Sequence, residues 1–213
     1  MYKLAIFDLD GTLLDTLDDL HLSVCHALKA CDFPERSREE VRRFIGNGVK
    51  KLMERATPDF TDEKTNEKCL QIFRAHYLEH MRDNTAPFVG VLPMLEQIRS
   101  RGIKIAVVSN KLHEAVKELC DDYFPGLIDQ AIGVTYESER KPSPINVIKA
   151  MDKFGCSKDE TIYIGDSEVD VQTAHNAQLK CIGVTWGFRS KETLQEAECD
   201  FIADTAQQVQ EIL

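Results

Sequence analysis

No apolar run in this 213-residue chain approaches the roughly 20 residues needed to cross a membrane, which argues against a helical span. Only Leu4 to Phe7 form an apolar stretch before Asp8, too short for a signal-peptide core. Of the seven cysteines (Cys25, Cys31, Cys69, Cys120, Cys156, Cys181 and Cys199), no two form a Cys-x-x-Cys pair. Their odd count and scattered spacing suggest reduced, mostly buried thiols, and a cytoplasmic protein is expected. Positive charge is also short: 26 Lys and Arg against 36 Asp and Glu leave a net charge of −10, the reverse of a nucleic-acid footprint. An anionic ligand would therefore have to be drawn in by a local positive pocket against the global field. Internal repeats, low-complexity tracts and long linkers are absent as well.

What is present is an ordinary globular composition, 43% apolar and 29% charged, in a chain long enough for one large domain or a core with an insert. Leu4-Ala5-Ile6-Phe7 reads as a strand buried on both faces. From 16 to 83 the periodicity turns helical and no strand signal appears: Leu17, Leu20, Val24 and Leu28 recur at helical spacing. Val41, Phe44 and Ile45 follow until Gly46-Asn47-Gly48 interrupts, and Leu70, Phe73 and Tyr77 mark a later helix. After Asn84, strand-like "IKIAVVS", "IDQAIGV", "TIYIGD", "KCIGVT" and "DFIAD" alternate with helical stretches at 93–101, 110–121, 143–154 and 168–178 and weaker ones near 192–197 and 205–213. That alternation predicts an α/β fold, a doubly wound parallel sheet whose first crossover carries a small all-helical insert. The expected division is 1–15 with 84–213 as the core and 16–83 as the insert.

Ligands of an open parallel sheet bind beyond the carboxyl ends of its strands. Those ends carry Asp8 and Asp10 after the first strand, Ser109 and Asn110 after "IKIAVVS", and Asp166 with Asp170 after "TIYIGD"; Lys141 lies on a loop, before Pro142. Asp-Gly alone is common turn chemistry. Asp8, Asp10 and Asp166 crowded on one rim, however, need a cation or raised pKa values. Oxygen-only ligands favour Mg²⁺ with a substrate phosphate. Lys141 supplies a point charge for that phosphate, and Ser109 and Asn110 can donate hydrogen bonds to it. Along a strand Asp8 and Asp10 would lie about 6.6 Å apart on one side. That spacing suits one carboxylate as nucleophile and a second, protonated, as general acid.

Asp8-Leu9-Asp10-Gly11-Thr12, Ser109-Asn110-Lys111, Lys141-Pro142-x-Pro144 and Gly165-Asp166-Ser167-x-x-Asp170 resemble, in order, the four motifs of the haloacid dehalogenase superfamily. The resemblance covers nearly the whole chain, and the insert resembles that superfamily's helical cap. It implies that Asp8 is the nucleophile, Asp10 the acid/base, and Lys141 and Ser109 the phosphate holders. It further implies Mg²⁺ held by the Asp8 carboxylate, the Asp10 carbonyl and Asp166, with Asp170 supporting. Gln178 departs from the pattern, which often has glycine after Ala-x-x-Ala, and bears on the turn that ends that helix.

Within the superfamily, a carboxylate at Asp10 fits an alkoxide leaving group, whereas relatives that dehalogenate or cleave phosphonates lack it. Thr12 supports phosphatases over β-phosphoglucomutase-like members, which usually carry valine there. "FIGNGVKKLMERA" (44–56) and "GVTWGF" (183–188) are similar to phosphoglycolate phosphatases. Gly46, Asn47 and Gly48 are either a helix-to-helix turn or a loop whose N–H groups meet a substrate carboxylate, with Arg43 or Lys50 nearby. The expected ligand is a small phosphorylated metabolite, most simply 2-phosphoglycolate, handled by a monomer or homodimer without nucleic acid or membrane. A β-phosphoglucomutase-like or pyrophosphatase activity is the alternative, and a phosphoacceptor or silent binding protein is the non-enzyme alternative. His76 and His80, spaced i,i+4, lack a Glu-x-x-His context and read as solvated helix histidines. The mixed charges of 35–55 read as a solvated face and Met94 as core.

Overall fold

A computed structural model describes residues 1–213. The chain opens with β1 (Leu4–Phe7) and β2 (Leu14–Asp15), continues through α1 (Leu17–Ala30), α2 (Arg38–Phe44), α3 (Gly48–Ala56) and α4 (Glu63–His80), and reaches β3 (Ala86–Pro87). Strands and helices then alternate: α5 (Val91–Ser100), β4 (Lys104–Leu112), α6 (His113–Tyr123), β5 (Gln130–Val134), α7 (Ile145–Phe154), β6 (Thr161–Gly165) and α8 (Glu168–Asn176). The remaining elements are β7 (Lys180–Val184), α9 (Lys191–Glu196), β8 (Phe201–Ala203) and α10 (Ala206–Ile212). Two compact units result, Met1–Leu14 with Pro87–Leu213, and Asp15–Ala86.

In the first unit six strands lie in the order β5-β4-β1-β6-β7-β8, every pair parallel. This is the α/β doubly wound sheet the alternating pattern predicts. All four residues of β1 are fully buried, as a strand covered by helices on both faces must be. Leu4, Ile6, Ala106, Val108, Tyr163 and Cys181 pack with Val147, Val171 and Ala174 from the helices. The chain builds outward from β1 through β4 to β5, then returns to β6 on the other side. The strand order therefore switches direction around β1, and the crevice of such a sheet opens at the carboxyl ends there.

Two local features depart from the sequence expectation. β4 runs on to Leu112, so the helix expected from 110 starts only at His113. Leu112 still pairs with Val134 of β5, which keeps this end of the strand in the sheet. At Gln178 the turn keeps the left-handed geometry that glycine usually supplies, with φ 60°. The Gln178 and Leu179 N–H groups donate to His175 O (2.9 Å) and Ala174 O (2.8 Å), closing the helix end against a strain of about 1–2 kcal/mol.

The second unit contains the four helices α1–α4. Leu17, Leu20, Val24 and Leu28 of α1 are buried, as are Leu70, Phe73 and Tyr77 of α4, with Phe73 and Tyr77 stacked at 5.5 Å. Ser37 caps α2 with Glu40 reaching back to it, and Asp62 caps α4. The carboxylate of Asp19, itself buried, accepts bonds from Asn84 N, Asn84 Nδ2, Thr85 N and Thr85 Oγ1. That carboxylate fastens the end of the unit to α1.

Candidate active site

β1 ends at Phe7, so Asp8 is the first residue beyond it; Asp8 N still donates to Ile164 O of β6 (2.8 Å). The chain then coils instead of extending. Leu13 N and Leu14 N both donate to Leu9 O, and Gly11 N donates to Leu14 O. Leu9, Leu13 and Leu14 are fully buried, which pulls the backbone round. Asp10 thus stands on a loop rather than two residues further along a strand, and the strand-based separation of Asp8 and Asp10 does not apply. Gly11 is required here: its φ is +88°, and a Cβ there would lie 2.5 Å from Asp166 Oδ2. Gly187 answers from the other side, where a Cβ would meet Asp166 Cβ at 2.3 Å.

Around this loop the acidic groups divide in two. Asp8 Oδ1 accepts from Leu9 N (2.7 Å) and pairs with Lys141 Nζ (2.8 Å). The same ammonium pairs with Asp170 Oδ1 (2.7 Å) and lies 3.3 Å from the Tyr163 hydroxyl, which in turn donates to Asp170 Oδ1 (3.1 Å). Asp170 Oδ2 accepts from Ser167 N and Ser167 Oγ in the capping box that starts α8. Asp166 Oδ1 accepts from Thr12 Oγ1 (3.2 Å) and Oδ2 from Phe188 N (2.7 Å). Asp10 has separate partners: Lys111 Nζ at 2.9 Å and Ser109 Oγ at 3.4 Å.

Carboxylate oxygens of Asp8, Asp166 and Asp170 all lie within 4.8 Å of one another, and all three residues are buried. Burial, then repulsion from Asp170, raises the Asp8 carboxyl well above its ordinary range, with Lys141 opposing. The same two causes push Asp166 up to about 7. Burial alone would lower Lys141, but the Asp170 and Asp8 carboxylates outweigh it and hold its ammonium above the usual value. Burial followed by Asp170 also raises the Tyr163 hydroxyl. Three carboxyl groups share one ammonium, and the raised values of Asp8 and Asp166 express the positive charge this cluster lacks. A hard divalent cation bound through oxygen fits that donor set.

Of the residues singled out from sequence, the structure brings Asp8, Asp166, Asp170, Lys141 and Thr12 together, and joins Asp10 to Ser109. Asn110 has partners within the protein. Its Oδ1 accepts from Lys141 N (2.7 Å) and its Nδ2 donates to Lys141 O (3.3 Å), so it secures the backbone that presents the ammonium. Gly46, Asn47 and Gly48 belong to the helical unit, where they join α2 to α3 with φ +125° at Gly46 and +81° at Gly48. Arg55 Nη2 donates to Asn47 Oδ1 and Arg55 Nη1 to Phe44 O, both at 2.8 Å. Three contributors were given no role of their own in the sequence reading. Lys111 follows Ser109 by two residues, a spacing that puts both on one strand face. Tyr163 is a hydroxyl inside a buried strand, where a partner is obligatory. Phe188 acts through its N–H, which side-chain chemistry never signals.

Residues 5–184 match the haloacid dehalogenase-like hydrolase family. A phosphoglycolate phosphatase of Aquifex aeolicus is 34% identical over 187 residues, covering 87% of this chain and 86% of that protein. A crystal structure from Lactobacillus delbrueckii subsp. bulgaricus superposes with TM-score 0.94 at 34% identity, covering 99% of this chain and 98% of that one. A predicted phosphoglycolate phosphatase from Haemophilus somnus gives TM-score 0.91 at 30% identity, over 99% and 97% of the two chains.

Proposed function

The chain belongs to the haloacid dehalogenase-like hydrolase family and is a phosphatase of small phosphorylated substrates, and we propose that it hydrolyses 2-phosphoglycolate with Mg²⁺ through an aspartyl-phosphate on Asp8. The observation that carries this reading is the division of neighbouring aspartates between two environments. Asp8 shares Lys141 with Asp170, while Asp10 is held apart by Lys111 and Ser109. Two carboxylates so separated can take different roles in one reaction.

Asp8 Oδ1 is occupied by Leu9 N and Lys141, which orients the carboxylate and leaves Oδ2 to attack phosphorus. The phosphorus–oxygen bond of the ester breaks, and Asp10 delivers a proton to the departing alkoxide. Asp10 then takes a proton from the water that attacks the aspartyl-phosphate, releasing phosphate and restoring Asp8. Lys141 and the Ser109 hydroxyl hold the phosphoryl oxygens, and Asn110 keeps Lys141 in place. Asp8, Asp166 and the Asp10 carbonyl would hold the Mg²⁺, with Asp170 supporting. Its charge would offset the repulsion between phosphate dianion and Asp8. Thr12 steadies Asp166.

Selection of the glycolate tail is assigned to Gly46, Asn47 and Gly48, whose backbone N–H groups suit a carboxylate. The phosphoglycolate phosphatase names of the relatives support the same substrate. Seven free thiols fit a cytoplasmic location, and no helix is long and apolar enough to cross a membrane. Phosphate release from 2-phosphoglycolate should exceed that from hexose phosphates or pyrophosphate in kcat/KM, vanish in EDTA and return with Mg²⁺. Faster turnover of a hexose phosphate or pyrophosphate overturns the substrate; undiminished release in EDTA overturns the chemistry.

A further inference from the structure

The turn between β7 and α9 carries no reacting group, yet its residues close over Asp166 one after another. Trp186, the single tryptophan of the chain, donates its indole N–H to the carbonyl of Thr12 (3.0 Å), 174 positions away. Gly187 lies flat on Asp166: a Cβ there would meet Asp166 Cβ at 2.3 Å and Gly11 O at 2.4 Å. The Phe188 N–H donates to Asp166 Oδ2 (2.7 Å). Arg189 then pairs with Glu168 Oε2 (3.0 Å) at the start of α8.

Thr12 faces the same carboxylate from the loop after β1. Its hydroxyl donates to Asp166 Oδ1 (3.2 Å), so each oxygen of Asp166 has a donor, one from each turn. The indole bond joins those two turns directly. An indole N–H only donates, and on a half-buried ring it holds its acceptor in one place. While Thr12 O is fixed in this way, Gly11 N donates to Leu14 O (2.9 Å). In a trans peptide the Asp10 carbonyl points opposite to that N–H, so the turn that Trp186 anchors also aims the Asp10 carbonyl.

On the reading that Asp8, Asp166 and the Asp10 carbonyl hold Mg²⁺, we propose that Trp186 is a positioning residue for the cation. Its indole N–H holds the Gly11–Thr12 turn against Asp166 and keeps the Asp10 carbonyl and the Asp166 carboxylate in one fixed arrangement. Mg²⁺ demands near-ideal octahedral geometry and tolerates little displacement of its ligands. Without the indole bond the turn can shift against Asp166, and ligands that must be drawn into place bind more weakly.

The test is calorimetric titration of the full chain with Mg²⁺. Trp186 fluorescence is followed in parallel, as is the single fluorine NMR line of protein made with fluorotryptophan. In wild type both signals should move with the midpoint that calorimetry gives. Trp186→Phe, which keeps a ring and loses the N–H, should bind Mg²⁺ roughly tenfold more weakly. Raised Mg²⁺ should restore most of its kcat on p-nitrophenyl phosphate. Gly187→Ala, which forces the turn away from Asp166 with the indole still present, should weaken Mg²⁺ by a similar factor. A purely structural tryptophan would lower the unfolding midpoint in EDTA and leave the Mg²⁺ affinity of the folded variant where it was. Unchanged affinity in folded Trp186→Phe therefore overturns the proposal and leaves the Mg²⁺ reading standing. Trp186 signals unmoved by Mg²⁺ that calorimetry shows bound to wild type overturn it equally, whether or not the variant folds. No Mg²⁺ binding by wild type overturns both.

Discussion

At the carboxyl end of β1, Asp8 is buried and bonded to Leu9 N and to the ammonium of Lys141, which comes from a loop far along the chain. Asn47, between α2 and α3, is half-buried, and its Oδ1 takes one bond, from Arg55 eight residues away. Both lie in glycine-bearing connections, and both have the look of turn chemistry in the sequence. The first is held by strands, loops and a helix N-terminus from across a sheet; the second is held by its own two helices. A reacting group needs the first kind of support, since small displacements are costly in rate.

That contrast can be broken most forcefully at Asp8 and Asp10. Asp8→Asn should abolish turnover of 2-phosphoglycolate and p-nitrophenyl phosphate alike, by roughly ten-thousand-fold or more, with circular dichroism unchanged. Asp10→Asn should slow alkyl phosphates by roughly a hundred- to ten-thousand-fold and largely spare the first step with acetyl phosphate. Phosphoenzyme should then accumulate, seen as a mass increase on the Asp8 peptide. Equal first-step losses for all leaving groups would remove Asp10 as the acid.

Lys141→Ala probes the support itself. Removing the only ammonium between Asp8 and Asp170 strands buried charge, at a cost of about 3–5 kcal/mol in urea unfolding with EDTA present. Mg²⁺ should restore part of it; equal loss with and without Mg²⁺ would show that the ion does not neutralise this cluster.

Gly48→Pro tests the looser region. Gly48 has φ +81°, which proline near −65° cannot adopt, and the change also removes an N–H. kcat/KM for 2-phosphoglycolate should fall roughly tenfold while p-nitrophenyl phosphate stays within about twofold. Equal loss on both substrates would make this connection purely structural.

The smallest effect concerns the loop leading to Lys141. Glu139 accepts from Lys149 Nζ (2.6 Å), Thr135 N (2.9 Å) and Tyr136 N (3.1 Å), and these bonds, that to Lys149 foremost, lower its pKa from 4.5 to about 2. A carboxyl with a depressed folded-state pKa stabilises the fold above its unfolded value and ceases to do so as protons bind. Wild type should therefore be more stable than Glu139→Gln at pH 7, and the gap should close as pH falls from about 4.5 towards 2. A gap constant across that window would show that the bonds do not depend on the charge.

Much of the fold was legible because its signals are local. Leu4–Phe7 and the later apolar runs are short enough for buried parallel strands, and Leu17, Leu20, Val24 and Leu28 keep helical period. The capping box of Ser167 and Asp170 acts over the same short range. Less legible was the path after Asp8, where burial of Leu9, Leu13 and Leu14 turns the chain and lifts Asp10 off the strand direction. The roles of Lys111, Tyr163 and the inward N–H of Phe188 were not read because their partners are far away in the chain. His76 and His80 could be seen as a pair; Ser23 and His26 joined them only through the packing of α1 on α4.

By itself the sequence determined which residue types stand at the strand ends and which segments become strand or helix, since pattern and capping act over a few residues. Tertiary structure decided which carboxylate shares Lys141, which pairs with Lys111, and how far burial raises Asp8 and Asp166. The physical reason is the range of the forces. Desolvation and Coulomb interaction depend on what the fold brings within a few ångströms, and Thr12 and Asp166, 154 positions apart, meet only when β1 and β6 lie side by side.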